Sequence, residues 1–288
     1  MHRIVGREAL SENVVRLEVQ ARRIAEVRQP GQFVIVRAVE DGERIPLTIA
    51  DADIRAGTIS LVIQRVGKST AVLTSLEVGD AISDIVGPLG RPTHLEDCRR
   101  AVCVGGGVGT AVVYPIAKAL VQRGTEVTMI VGGRTRELVI LEKQLRAICR
   151  QVHVTTDDGS YGRRGLVTDA LADVLASADP PVEAVYAVGP VPMMKAVCEL
   201  TRRAGVKTIV SLNPIMVDGT GMCGGCRVSV GGETHFACVD GPEFDGHQVD
   251  FDELADRLTT YRNQERHSAE QCRLLQAADK NQGQPLRG

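Results

Sequence analysis

The sequence predicts a small β-barrel followed by a doubly wound, parallel α/β sheet and a short cysteine-bearing region. Three observations predict this. Up to about residue 94, short β-branched runs alternate with Gly, Pro and Asp turns. From about Arg99, apolar strands alternate with helical patterns. Residues 211–250 break that rhythm and hold three closely spaced cysteines. The expected divisions are a barrel at 1–96, an α/β domain at 97–210, a cysteine subdomain at 211–250, and a C-terminal helix and tail at 251–288.

In the barrel, the expected strands are VVRLEV, FVIVRAV, TISLVIQRV and DAISDIV. ERIPLTIAD reads as a connection from one strand to the next. Its Arg44 suits a phosphate, and Thr48 can add a hydroxyl to it. LVIQRVGKST ends in Gly67, Lys68, Ser69 and Thr70, a small-residue turn with hydroxyls and a cation. A strand and turn with exposed charge would look the same.

In the second part, RAVCVGGG, TEVTMIVGG, QVHVTTDDG, AVYAVGP and KTIVSL read as strands buried on both faces. Helices are expected at AVVYPIAKALVQRG, ELVILEKQLRAICR, LVTDALADVLASA and VPMMKAVCELTRRAG. The first strand runs into Gly105, Gly106, Gly107, Val108, Gly109 and Thr110 and then a helix. Such a loop brings backbone N–H groups and a helix N-terminus to a phosphate. Thr110 stands where the last glycine of G-x-G-x-x-G would be, and a tight turn without ligand is the alternative. The second strand ends VGGRTRE, with Arg134 and Arg136 where a ribose-binding acid is often found. Arginine there suits the 2′-phosphate of NADP(H), or it is a solvated loop charge, so the nucleotide stays open.

The chain has 288 residues, 43% hydrophobic, with a formal net charge of −2 and no tryptophan. It is long enough for two medium domains, and it lacks the basic stretches and aromatic platforms of a nucleic-acid binder. The start, MHRIVGREALSENVVRLEV, has no apolar signal-peptide core and reads as a strand pair. No window is apolar for long enough to span a bilayer. A cytoplasmic protein is expected, and there cysteines stay reduced. Cys98, Cys103, Cys149, Cys198 and Cys272 lie in apolar or helical contexts and read as small buried hydrophobes.

VDGTGMCGGCRV, with Cys238 beyond it, is different in kind. Its pattern is D-x4-C-x2-C-x11-C, formed by Asp218, Cys223, Cys226 and Cys238. Three thiolates and a carboxylate can complete the sites of two irons. They also suit zinc. Asp218 alone can equally be a turn residue accepting backbone N–H bonds. Beyond the cysteines, FDELADRLTTYRNQERHSAEQCRLLQ reads as a polar helix, and AADKNQGQPLRG as a frayed end.

The order of these motifs carries a resemblance. R-x-P-L-T, then GKST, GPLG and GGGVG on a parallel sheet resembles the ferredoxin-reductase superfamily, as do TDDGSYGRRG and AVGPVPMMKAV. The resemblance implies FAD in the barrel near Arg44, Pro46, Leu47, Thr48, Ile63, Gln64, Arg65, Gly67, Ser69 and Thr70. It implies a nicotinamide nucleotide at Gly105–Thr110, Gly132, Arg134, Asp157, Asp158, Gly189, Pro190, Met193 and Met194. No catalytic side chain is expected, because hydride transfer needs no acid or base and the chemistry belongs to the cofactors.

Two groups in that superfamily carry a cysteine cluster after the nucleotide domain. The electron-transfer subunit of dihydroorotate dehydrogenase has C-x4-C-x2-C and a fourth cysteine. The small subunit of NADH-dependent ferredoxin:NADP+ oxidoreductase, or sulfide dehydrogenase, has an aspartate first, and the present sequence is similar to it. That resemblance implies Asp218 as the fourth ligand of a [2Fe–2S] cluster, and a flavin that faces NAD(H), with NADP(H) possible. It also implies a larger partner, a [4Fe–4S] flavoprotein resembling the glutamate synthase small subunit. Such a pair couples NADH, NADPH and ferredoxin by flavin-based electron bifurcation. The alternatives are a dihydroorotate dehydrogenase electron-transfer subunit and a non-enzymatic, zinc-stabilised nucleotide-sensing module.

Overall fold

The structure is a computed structural model and describes residues 1–268 and 270–271. The first part comprises β1 (His2–Ser11), β2 (Val14–Gln20), α1 (Arg22–Val27), β3 (Phe33–Arg37), β4 (Arg44–Asp53), β5 (Thr58–Gln64), α2 (Lys68–Ser75), β6 (Ala81–Ile82) and β7 (Asp84–Leu89). Its antiparallel strands lie in the order β6-β1-β2-β5-β4-β3-β7. Only Ser83 separates the two edge strands in sequence, so the sheet curls back on itself into a nearly closed barrel. Alternating Leu17 and Val19, and Ile59, Leu61 and Ile63, fill the interior and are almost wholly buried.

ERIPLTIAD is itself a strand, β4, and not the connection expected from sequence. Residues 44–48 pair with β3 on one side, and pairing with β5 begins only at Ile49. Pro46 therefore sits on a locally open edge, where its missing N–H costs no ladder bond. The GKST turn opens a helix, α2, for which no helical expectation existed.

The second part contains β8 (Arg100–Gly106), α3 (Gly109–Gln122), β9 (Glu126–Gly133), α4 (Glu142–Ile148), β10 (Gln151–Thr156), β11 (Arg163–Arg164), α5 (Val167–Ser177), β12 (Ala184–Val188), α6 (Val191–Ala204) and β13 (Lys207–Ser211). β14 (Arg227–Val230), β15 (Glu233–Phe236), β16 (Glu243–Asp245) and α7 (Phe251–Arg257) follow. The large sheet runs β11-β10-β9-β8-β12-β13-β16, parallel except for the antiparallel edge β16. Strand order reverses between β8 and β12, which opens a crevice at their C-terminal ends.

The helix expected over 137–150 is shorter than its pattern. Leu141 adopts a left-handed conformation at φ 58°, and α4 starts only after it. Buried Ile140 and Leu141 pack into the core instead of continuing a helical turn.

β14 and β15 form a hairpin, and β16 ties the cysteine region to the sheet through β13. One core joins Phe33 and Ile35 of the barrel, Val210 and Leu212, and Cys226, Val228 and Cys238.

The expected C-terminal helix is interrupted. α7 ends at Arg257, and helix resumes at residues 262–268. Thr259 and Thr260 donate their hydroxyls to Asp256 O at 2.7 Å and Arg257 O at 2.8 Å, competing with the helical bonds. The end AADKNQGQPLRG lies outside the described residues. Among the described residues, no helix is long and apolar enough to cross a membrane.

Candidate functional site

Two cavities open along the seam between the barrel and the sheet. The first, about 630 Å³, lies at the strand-order reversal. It is lined by Gly106, Gly107, Val108 and Gly109 after β8, by Gly189, Pro190 and Met193 after β12, and by Gly132, Arg134 and Asp157 after β9 and β10. Gly107 takes φ +54° with open space where a Cβ would stand. A Cβ on Gly109 would lie 2.4 Å from Val188 O, so only glycine lets α3 start this close to β12. The surface is mostly backbone and small side chains, which suits a flat dinucleotide with phosphates.

Other expected members of this set lie outside that cavity. Met194 is fully buried in the core beneath α6, because it lies on the helix face turned to the sheet. Gly105 is a packing position, since its Cβ would meet Thr110 Cα at 2.7 Å. Thr110 is buried, and its hydroxyl has no partner among the described residues. Asp158 shapes the loop by accepting from Ser160 N at 2.9 Å and Ser160 Oγ at 2.7 Å, bonds that hold its carboxyl below its ordinary range.

The second cavity, about 1260 Å³, lies against the open edge of β4. Arg44 and Pro46 form one side, and Gly67, Lys68, Ser69 and Thr70 at the start of α2 form another. Thr70 Oγ accepts from both Val66 N and Gly67 N at 3.0 Å, which fixes this turn. Ser69 Oγ donates to Glu43 at 2.7 Å. Two cations and a helix N-terminus around a large groove fit the diphosphate of FAD.

Of the remaining flavin expectations, Ile63 is 1% exposed and belongs to the barrel core, as its inward register on β5 requires. Leu47 is partly buried against that same core, Thr48 is half-buried opposite Phe33, and Arg65 is exposed. Gln64 lines the first cavity instead of the second.

The cysteine loop adjoins the second cavity. Asp218 accepts from Thr220 N at 2.9 Å through Oδ1 and from Cys223 N at 2.8 Å through Oδ2. These amides, Thr220 foremost, hold its carboxyl below the usual range. Cys226 Sγ and Cys238 Sγ stand 3.2 Å apart. Burial, and then the neighbouring Cys226 sulfur, push the Cys238 thiol up. Backbone donors reach the sulfurs: Gly225 N to Cys223 and Cys238 N to Cys226, both at 3.5 Å.

Among the described residues, no three His, Cys, Asp or Glu side chains are placed to hold one metal ion. Cys226 and Cys238 form one close sulfur pair, and Asp218 meets Cys223 through the Cys223 backbone N–H. Three thiols and a carboxylate in one region are a donor set that suits a two-iron cluster.

Some lining residues carried no sequence signal. Ser211 and Asn213 of the first cavity follow β13, and the rule that ligands bind beyond the carboxyl ends of strands would have found them. Pro214–Val217 and Tyr261 of the second cavity come from segments without any ligand-binding pattern.

Three family models match successive parts of the chain. Residues 2–94 match the oxidoreductase FAD-binding domain, 103–199 the oxidoreductase NAD-binding domain, and 213–250 the iron–sulfur cluster binding domain of dihydroorotate dehydrogenase B. The chain is 45% identical over 282 residues to a dihydroorotate dehydrogenase B (NAD(+)) electron transfer subunit homolog of Thermotoga maritima, covering 98% of each. It is 35% identical over 255 residues to the dihydroorotate dehydrogenase B (NAD(+)) electron transfer subunit of Geobacillus kaustophilus, covering 85% of this chain and 96% of that one. A solved structure of the NADH-dependent reduced ferredoxin-NADP oxidoreductase, described for flavin-based electron bifurcation, superposes with a TM-score of 0.89 at 45% identity. That match covers 94% of this chain and 97% of the other.

Proposed function

The chain belongs to the family of dihydroorotate dehydrogenase B electron-transfer subunits and their homologues, and on that premise we propose that it is the NAD(H)-facing subunit of a complex that couples NADH, NADPH and ferredoxin. It is a ferredoxin-reductase-type oxidoreductase subunit with FAD-binding, NAD-binding and iron–sulfur domains.

One observation supports this reading above the rest. The segment from Ser211 to Cys226 lines the first cavity with Ser211 and Asn213 and the second with Pro214–Val217. It then carries Asp218, Cys223 and Cys226. Nucleotide, flavin and cluster sites follow one another along a single strand of chain, in the order that electrons from NADH require.

FAD bound in the second cavity would supply the change from two-electron hydride chemistry to one-electron transfer that a [2Fe–2S] cluster needs. The chain's own residues bind and orient. Arg44 and Lys68 offer charge to the diphosphate, and Thr70 holds the α2 turn beneath it. The Gly106–Gly109 loop receives the nucleotide, and Gln64 reaches that cavity from the barrel side. Asp218 with Cys223, and Cys226 with Cys238, would hold the two irons.

The partner is a larger iron–sulfur flavoprotein resembling the glutamate synthase small subunit, which exchanges electrons with ferredoxin, and the complex is cytoplasmic. A similarity to the ferredoxin-NADP oxidoreductase structure over nearly the full length supports this assignment. The names of the 35% identical relatives favour a second reading, service to a dihydroorotate dehydrogenase. Copurification from the native cell separates the two, yielding an iron–sulfur flavoprotein in one case and an FMN dehydrogenase in the other. An anaerobic titration tests the nucleotide: NADH should bleach the flavin readily, and the assignment falls if NADPH does so and NADH does not.

A further inference from the structure

The second cavity has a wall that belongs to neither the barrel nor the cysteine region. Tyr261, Arg262, Glu265 and Arg266, at the start of the C-terminal helix, line it together with Arg44 and Lys68. The matched family regions end at residue 250, so this wall lies beyond all three of them. Tyr261 is the one aromatic among the described residues lining the cavity, and it remains 52% exposed. Arg262 and Arg266 are spaced four apart on one helical face. Among the described residues, neither of them makes an ion pair, nor do Arg44 and Lys68.

We propose that this helix is part of the flavin site: Tyr261 packs on the adenine of FAD while Arg262 and Arg266 face its diphosphate, so that the extension closes the groove over the adenosine-diphosphate half of the cofactor. The proposal rests on the flavin reading of this cavity. Its physical basis is the match of chemistry to place. Gln64 and Asn213 of the first cavity lie within two residues of Val66 and Pro214 of the second, so a flavin ring placed there would leave the rest of the dinucleotide to reach Arg44, Lys68 and the helix. A purine offers a flat face for an exposed tyrosine, and guanidinium groups pair with phosphate oxygens. The helix therefore selects FAD over a mononucleotide.

The test uses full-length wild type, Tyr261→Ala and the double variant Arg262→Ala/Arg266→Ala. Each is stripped of flavin and titrated with FAD and with FMN, following flavin fluorescence. In both variants the Kd for FAD should rise about tenfold while that for FMN stays put, with the melting temperature of the stripped proteins unchanged. FAD affinities within about twofold of wild type overturn the proposal. So does an equal weakening for FAD and FMN, which would place the helix at the ring or in the fold. Wild type that takes up neither flavin instead removes the flavin reading itself.

Discussion

Asn213 and Pro214 are joined by one peptide bond, yet Asn213 lines the first cavity and Pro214 lines the second. On the barrel side, Gln64 lines the first cavity and Val66, two residues on, lines the second. The two cavities are thus consecutive stretches of one cleft, walled by the end of a barrel strand and the end of a sheet strand.

Asp218 separates two kinds of loop. As an iron ligand, its replacement by cysteine should alter the cluster, because ligand type sets reduction potential. Low-temperature EPR of NADH-reduced protein should show a rhombic signal whose g-values move in Asp218→Cys. An unchanged signal makes Asp218 only a turn residue, and zinc without any signal removes the cluster.

Thr70 fixes the entry of α2 by accepting from Val66 N and Gly67 N. Thr70→Ala should lower stability by about 1 kcal/mol, the usual effect of losing such a local cap. On the flavin reading it should also weaken FAD binding, because Val66, Gly67 and Thr70 all line the second cavity. Urea unfolding of the stripped protein and an FAD titration measure the two effects, and unchanged FAD affinity would separate the turn from the cofactor.

Gly109 leaves no room for a methyl group, since its Cβ would lie 2.4 Å from Val188 O. Gly109→Ala should force α3 away from β12 and destabilise the fold by about 1–3 kcal/mol. The NADH concentration that half-reduces the flavin should rise while FAD content stays the same. A rise in NADH requirement without any shift in melting temperature would contradict the packing argument.

Glu243 lies buried where β16 meets the barrel. Its Oε1 accepts from Thr93 Oγ at 2.8 Å, and its Oε2 has no partner among the described residues. Burial pushes its carboxyl up to about 7, against the Thr93 bond, which lowers it. The unfolded chain ionises this group near pH 4.3 or so. Between those values the folded state therefore holds a proton that the unfolded state has lost. The contribution to stability is complete below the unfolded value and is lost as pH rises through about 7. Glu243→Gln should flatten the fall in melting temperature from pH 5 to 8 and add up to about 3 kcal/mol at the upper end. Parallel pH curves for the two proteins would show that Glu243 ionises freely.

The outline of the fold was legible because its signals are local. Alternating β-branched residues in VVRLEV and TISLVIQRV mark a sheet with one buried face, and apolar runs such as RAVCV mark strands buried on both. The signals failed where local preference met tertiary competition. ERIPLTIAD contains a proline and was expected to connect strands, yet it is β4, because the barrel leaves one edge of residues 44–48 unpaired. ELVILEKQLRAICR has helical spacing throughout, but burial of Ile140 and Leu141 holds its first part out of the helix.

What the sequence determined by itself was chemical inventory and order: a glycine loop after a strand, a cation with hydroxyls in the barrel, and D-x4-C-x2-C-x11-C at the end. These are short-range patterns, and resemblance joins them into a flavin, nucleotide and iron–sulfur chain. Only the tertiary structure decided which residues share a cavity. It put Gln64 in the first cavity and not the second, took Ile63 and Met194 into cores, and brought Tyr261 into the cavity that Arg44 lines. The reason is that a cavity is a property of the packing of distant segments. Which side of a strand or helix faces it depends on register and on the neighbour it packs against, and neither is written in any one stretch of sequence.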